Sequence, residues 1–259
     1  MTQDLLATGA WWLYPVLFLT ALFAGTADTI AGGGGLITVP VLMSLGWSPQ
    51  DALGTNKFQA SFGSGSATLH FARAGAVSLK ECLWGILFTG IGAATGAWAV
   101  GQISAGFLNR LIPFLLIAMA LYVLVSPKLG REETPPRMGP FLFHFVFGLS
   151  IGFYDGFFGP GTGSFWAMAY VLLLGYELRR ATAHTKVMNF TSNLLSLAVF
   201  LWMGNVHFVP GLVMAGGQFL GGRIGAKLVM MKGARLVRPV FITVVLGIAL
   251  KLLWSAYLR

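Results

Sequence analysis

The stretch Asp28-Thr29-Ile30-Ala31-Gly32-Gly33-Gly34-Gly35-Leu36-Ile37-Thr38-Val39 sets one carboxylate and four successive glycines inside otherwise apolar sequence. Each glycine in a helix interior costs about 1 kcal/mol relative to alanine, so four in a row break a helix. The apolar run that resumes at Leu36 ends near Gly46. A run of about 11 residues is too short to cross a hydrocarbon layer of about 30 Å, so it is predicted to be a half-helix. Unpaired backbone N–H groups at its start, with the helix dipole behind them, suit an anion. The same glycines also fit a second reading, close helix packing.

The pattern recurs downstream as Gly152, Asp155, Gly156, Gly159, Pro160, Gly161, Thr162, Gly163 and Ser164, followed by a short apolar run. Gly161 to Ser164 lacks the Gly-Lys-Ser/Thr ending of a phosphate loop, so a nucleotide site is not inferred. A constant shift of 129 from about residue 46 aligns Gly46 with Gly175, Ala52 with Ala181, Lys57 with Lys186, and Gly92 and Gly96 with Gly221 and Gly225. Upstream, a shift of 127 pairs Gly25 and Asp28 with Gly152 and Asp155. Matched glycines alone carry little weight in a glycine-rich chain. A matched Lys and a matched Asp point to internal duplication.

Composition sets the solvent. With 56% hydrophobic and 10% charged residues and mean hydropathy +0.76, an ordinary soluble class is excluded. Only helices or a closed barrel satisfy backbone groups in lipid, and these apolar runs are unbroken rather than alternating, which favours helices. Ten segments are predicted near 12–31, 36–46, 58–73, 79–101, 106–126, 141–158, 164–175, 188–203, 207–230 and 236–258. The predicted fold is therefore an all-α polytopic membrane protein of two repeats, each of about five helical segments with a half-helix after its glycine-rich break. Residues 1–126 form the first repeat, 127–140 a cytoplasmic linker and 141–259 the second repeat.

The net charge of +9 is dispersed over helix ends and short loops, which argues for topology rather than nucleic acid. Equivalent loops differ in charge: Lys80 has no counterpart around Asn205 to Phe208, whereas Arg110 stands opposite Lys232, Arg235 and Arg238. The positive-inside rule then puts equivalent loops on opposite sides, so the repeat is expected to be inverted, with both termini outside. Lys57, Arg110 and Arg259 are assigned to the outside in that scheme. Met1 to Ala10 carries Asp4 and no Lys or Arg, unlike a cleaved signal. Cys82 is the single cysteine, which leaves no intrachain disulfide or CxxC motif and is expected to be a buried small hydrophobe.

A second constellation sets Thr55, Asn56, Lys57 and Gln59 against His184, Thr185, Lys186, Asn189 and Asn193, with each Lys opening the next long helix. Paired ammonium groups among amides and hydroxyls suit a small oxyanion, and polar groups in a membrane are costly enough to suggest function. Snorkelling to an interface is the alternative for both lysines. Asp28 and Asp155 lie deep in apolar sequence and are expected to be protonated, cation-bound or paired with a basic group. The candidate substrate site comprises Gly33, Gly34, Gly35, Asn56, Lys57, Gln59, Gly161, Thr162, Gly163, Thr185, Lys186, Asn189 and Asn193, with Asp28 and Asp155 as coupling residues. No catalytic residue, metal ligand or cofactor is assigned. An intramembrane aspartyl protease is a rival, since Tyr154-Asp155 matches part of that signature, but its Gly-x-Gly-Asp companion is missing. A non-transporting membrane scaffold is another. His70 and His144 read as packing or capping groups.

The stretch from Asp28 to Lys57, the stretch from Gly152 to Gly163, Ala181 to Lys186, and Gly216-Gly217-Gln218-Phe219-Leu220-Gly221-Gly222-Arg223 together resemble the TauE/SafE family of membrane permeases, in its YfcA-like branch. The resemblance covers nearly the whole chain. It implies a transporter of the bacterial inner membrane, with sulfite, sulfonates, sulfoacetate or related organosulfur anions as family substrates. The functional expectation is secondary transport of such an anion by alternating access. A proton or sodium ion is the candidate coupling partner, and the bilayer is the surroundings.

Overall fold

The computed structural model describes residues 11–125 and 133–232. Among them every regular element is an α-helix: α1 (Leu13–Ala31), α2 (Gly35–Ser44), α3 (Pro49–Arg73), α4 (Leu83–Gly101), α5 (Ala105–Val125), α6 (Pro140–Phe157), α7 (Thr162–Leu174), α8 (Leu178–Trp202) and α9 (Phe208–Lys232). The segment expected at 236–258, both chain termini, residue 126 and residues 127–132 of the expected linker lie outside the described residues.

The helix order repeats. Helices α3 and α8 are each 25 residues long and are related by the 129-residue shift, Pro49 to Leu178 and Arg73 to Trp202. Left-handed glycines recur on the same shift, Gly46 with Gly175 and Gly75 with Gly204. Contacts are exchanged between the halves: α1 packs along α9 and α6 along α4, while α3 and α8 face each other in the centre. Glycines set the approach in both outer pairs. A Cβ on Gly92 of α4 would stand 2.8 Å from the Phe153 nitrogen of α6, and one on Gly221 of α9 would stand 2.9 Å from the Thr26 nitrogen of α1. At these crossings glycine serves close helix packing.

At the two breaks, glycine also supplies left-handed backbone. α1 ends on Gly32 in the left-handed region, φ 75°, whose N–H reaches the Asp28 carbonyl at 2.7 Å. α6 gives way to Gly159 and Gly161, at φ 90° and 86°, before α7 begins. The short helices follow as expected, with 10 residues in α2 and 13 in α7.

Two helix starts differ from expectation. The segments predicted from 58 and 188 begin at Pro49 and Leu178, because polar residues read as loop belong to the helix. Ser48 caps α3, its Oγ accepting from the Asp51 N–H at 3.1 Å ahead of Pro49, and the Glu177 carboxylate caps α8 by accepting from the Arg179 N–H at 3.4 Å. Lys57 and Lys186 therefore sit in the third turn of long central helices, not at their openings. Each is 1% exposed. Lys57 has no place in the count of outside charges.

The distribution of polarity is the reverse of a soluble domain. Trp84, Leu83, Trp98, Phe141, Phe208 and Leu212 are exposed, while Lys57, Lys186, Asp155, Asn56, Asn189 and Gln59 are buried. An apolar exterior around a polar interior is the arrangement that lipid demands.

Candidate functional site

Both glycine breaks meet in the centre. Gly32 lies in direct backbone contact with Gly163, and Ser164 Oγ donates to the Ala31 carbonyl at 2.6 Å. Tyr154 fixes the second break by donating to the Pro160 carbonyl at 2.8 Å, and Thr162 Oγ1 donates to the Gly159 carbonyl at 2.5 Å.

The charged groups pair across the halves. Lys57 Nζ on α3 donates to Asp155 Oδ1 on α6 at 2.5 Å, and Lys186 Nζ on α8 donates to Asp28 Oδ2 on α1 at 2.7 Å. Each lysine thus meets the aspartate of the other repeat. Of the three states open to the aspartates, the structure shows pairing with a basic group. This satisfies the requirement that a charge in a low-dielectric interior have a hydrogen-bonded partner.

The pairs are not equivalent. Asp155 has a side chain 5% exposed, and its second oxygen accepts from Ser192 Oγ. Asp28 has a side chain 26% exposed, and its second oxygen accepts from the Gly34 N–H at 3.0 Å. Lys186 also donates to the Asp28 backbone carbonyl at 2.6 Å. The residue matching Ser192 on the 129-residue shift is Gly63, which has no hydroxyl to offer.

Between the pairs lies a cavity of about 30 Å³, lined among others by Asp28, Lys57, Asp155, Asn189 and Gln218. That is room for about two or three water molecules. Gly34, Gly35, Asn56, Thr162, Gly163 and Asn193 also face it, as expected. Asn56 Oδ1 accepts from Thr38 Oγ1 at 2.5 Å and from Gln59 Nε2 at 3.2 Å. Asn189 lines the cavity, and its Oδ1 is buried with no hydrogen-bond partner among the described residues.

Five predicted site residues do not line this cavity. Gly33 is buried outside its lining, Gln59 donates to the lining residue Asn56, Gly161 packs on Met119, Thr185 Oγ1 donates to its own helix at the Ala181 carbonyl at 2.8 Å, and Lys186 is held by Asp28. Ala60, Gly159 and Gln218 line it without having been predicted. Gln218 had a signal, an amide within the apolar sequence of α9, but its counterpart Thr89 is not an amide and so repeat matching passed over it. His184 lies elsewhere, its ring between Tyr170 and Tyr176 at 5.4 and 4.9 Å and its Nδ1 2.9 Å from the Arg180 carbonyl.

The geometry bears directly on the protease alternative. An aspartyl hydrolase needs two carboxylates sharing a proton. Here each carboxylate is held by a lysine.

Comparison with known proteins agrees. The family model described as sulfite exporter TauE/SafE matches residues 17–252. The chain is 46% identical over 245 residues to the probable membrane transporter protein YfcA of Escherichia coli K12, covering 95% of this chain and 91% of that one. It is 46% identical over 230 residues to a probable membrane transporter protein of Haemophilus influenzae, covering 89% and 90%, and 25% identical over 241 residues to YunE, a probable membrane transporter protein of Bacillus subtilis, covering 83% and 88%. A lipid-facing exterior, a central polar cavity and these similarities lead to one conclusion: the chain belongs to the TauE/SafE family of membrane transporters.

Proposed function

We propose that this protein is a secondary transporter of small anions, with sulfite, sulfonates or related organosulfur compounds as its substrates, working by alternating access in a bacterial inner membrane. The observation that carries this reading is the pair of crossed Lys–Asp bridges around one cavity at the meeting of two broken helices. In this conformation the carboxylates of Asp28 and Asp155 occupy the positions an oxyanion would take beside Lys186 and Lys57. Substrate enters by displacing a carboxylate, with Asn56, Asn189, Asn193 and the half-helix starts supplying further hydrogen bonds. The cavity of about 30 Å³ then enlarges as the bridge opens.

Exchange of roles between the two halves accounts for alternating access. The halves are inverted repeats in this reading, with both termini outside and the linker in the cytoplasm, and Asp28 and Asp155 are the coupling residues. Proteoliposomes containing the purified protein and no nucleotide test it. Accumulation of radiolabelled sulfite or ethanesulfonate is expected to follow an imposed ion or potential gradient. A requirement for ATP, or no flux of either anion, overturns the reading.

A further inference from the structure

Among the described residues the interior holds two ammonium groups, Lys57 and Lys186, and two carboxylates, Asp28 and Asp155, all four in ion pairs, so these two positive and two negative charges sum to zero. A monovalent anion added to this interior leaves one negative charge uncompensated in a low-dielectric core, which hydrogen bonds from amides do not offset. Resting on the anion-transport reading, we propose that each monovalent anion is carried together with one proton, and that Asp28, not Asp155, takes it up.

The two aspartates differ in what surrounds them. Asp155 is the more enclosed of the two, 5% exposed, with Lys57 on one oxygen and the Ser192 hydroxyl on the other. Asp28 keeps a side chain 26% exposed, so water reaches it. From α8 it is faced by Lys186, while Lys57 of α3 and Asp155 of α6 share its cavity. Gly34, Thr162 and Gln218, brought by the start of α2, by α7 and by α9, do not titrate. A proton arriving from water on Asp28 Oδ2 cancels the charge that holds Lys186. The ammonium stays protonated and keeps its bond to the Asp28 carbonyl, and a substrate oxygen takes the vacated place. Protonation and anion binding are then one event, and the loaded interior is again neutral.

Ethanesulfonate is the probe, because it stays ionised over the whole accessible pH range and adds no titration of its own. In detergent, its affinity for the wild-type protein is expected to rise roughly tenfold for each pH unit lowered, the slope of one linked proton. Calorimetry in buffers of different ionisation enthalpy should register one proton taken up per anion bound. Asp28→Asn should bind with an affinity independent of pH. In proteoliposomes, wild-type uptake should respond to a pH gradient and ignore a clamped membrane potential.

Anion binding without proton uptake, or uptake driven by the potential alone, overturns the proposal and leaves the anion reading standing. Dependence on sodium in place of pH does the same. The calorimetric proton count decides the matter on the wild-type protein even if Asp28→Asn fails to fold. If neither ethanesulfonate nor sulfite binds at any pH, the anion reading itself fails and this proposal falls with it.

Discussion

Ser64 on α3 and Asn193 on α8 stand at equivalent positions of the two repeats, 129 residues apart, and are hydrogen-bonded to each other, Asn193 Nδ2 to Ser64 Oγ at 3.2 Å. A residue that touches its own repeat counterpart lies near the axis relating the halves. The charged pairs obey the same relation from further out, since exchanging the halves turns the Lys57 and Asp155 pair into the Lys186 and Asp28 pair. Asn193 also lines the cavity.

The two bridges are expected to differ in their importance for stability. Lys57→Gln leaves the Asp155 carboxylate buried without a counter-charge, and should cost roughly 3–5 kcal/mol in chemical denaturation of the detergent-solubilised protein. Adding Asp155→Asn should recover most of that loss. Lys186→Gln should cost less, because Asp28 is partly solvated and keeps the Gly34 N–H. Equal losses in the two single variants would contradict the asymmetry.

The axial hydrogen bond is worth less. Asn193→Ala removes the donor to Ser64 and should lower stability by about 1 kcal/mol, in the range of interhelical hydrogen bonds in membranes. The thermal midpoint in detergent reads the effect, and a shift larger than that of Lys57→Gln would show that the axis, not the ion pairs, holds α3 to α8.

Glycines at helix crossings give a sharper contrast. Gly92→Ala and Gly221→Ala push a methyl group into the backbone of the facing helix and should each cost about 1–3 kcal/mol through overpacking. Gly106→Ala, on α5, meets no atom of the described residues within 4 Å and should be neutral or slightly stabilising. Thermal unfolding of the three variants side by side provides the comparison.

Cys82 should be inert. It lies just ahead of α4, at its N-cap, fully buried, and burial followed by the charge of Glu81 pushes its thiol up to about 12. Thiolate is the reactive species, so little forms at neutral pH. Maleimide should label the folded wild-type protein only after denaturation, and raising the pH to about 9 should not expose it. Single cysteines placed at the linker and the α9 end then report topology without removing Cys82. A linker labelled from the periplasmic side would overturn the orientation proposed above.

The sequence by itself determined the helical class, the short helices after the glycine breaks and the constant shift that matches the two halves, because each leaves a local mark. Apolar runs have a length, matched residues keep a constant shift, and four glycines in a row, at about 1 kcal/mol each, interrupt a helix. It also singled out Asp28, Lys57, Asp155 and Lys186. Local reasoning failed where polar residues at 51–57 and 180–186 looked like loop, since the reward for burying them is a partner on another helix. Tertiary structure alone decided those partners. Lys57 and Asp155 are 98 residues apart, Lys186 and Asp28 are 158 apart, and no spacing announces that each lysine crosses to the other repeat. The same holds for the inequivalence of the two aspartates and for Gln218 at the cavity, which depend on which helix faces which. Charge in a low-dielectric interior must be matched in space, and only the packed helices set where the match falls.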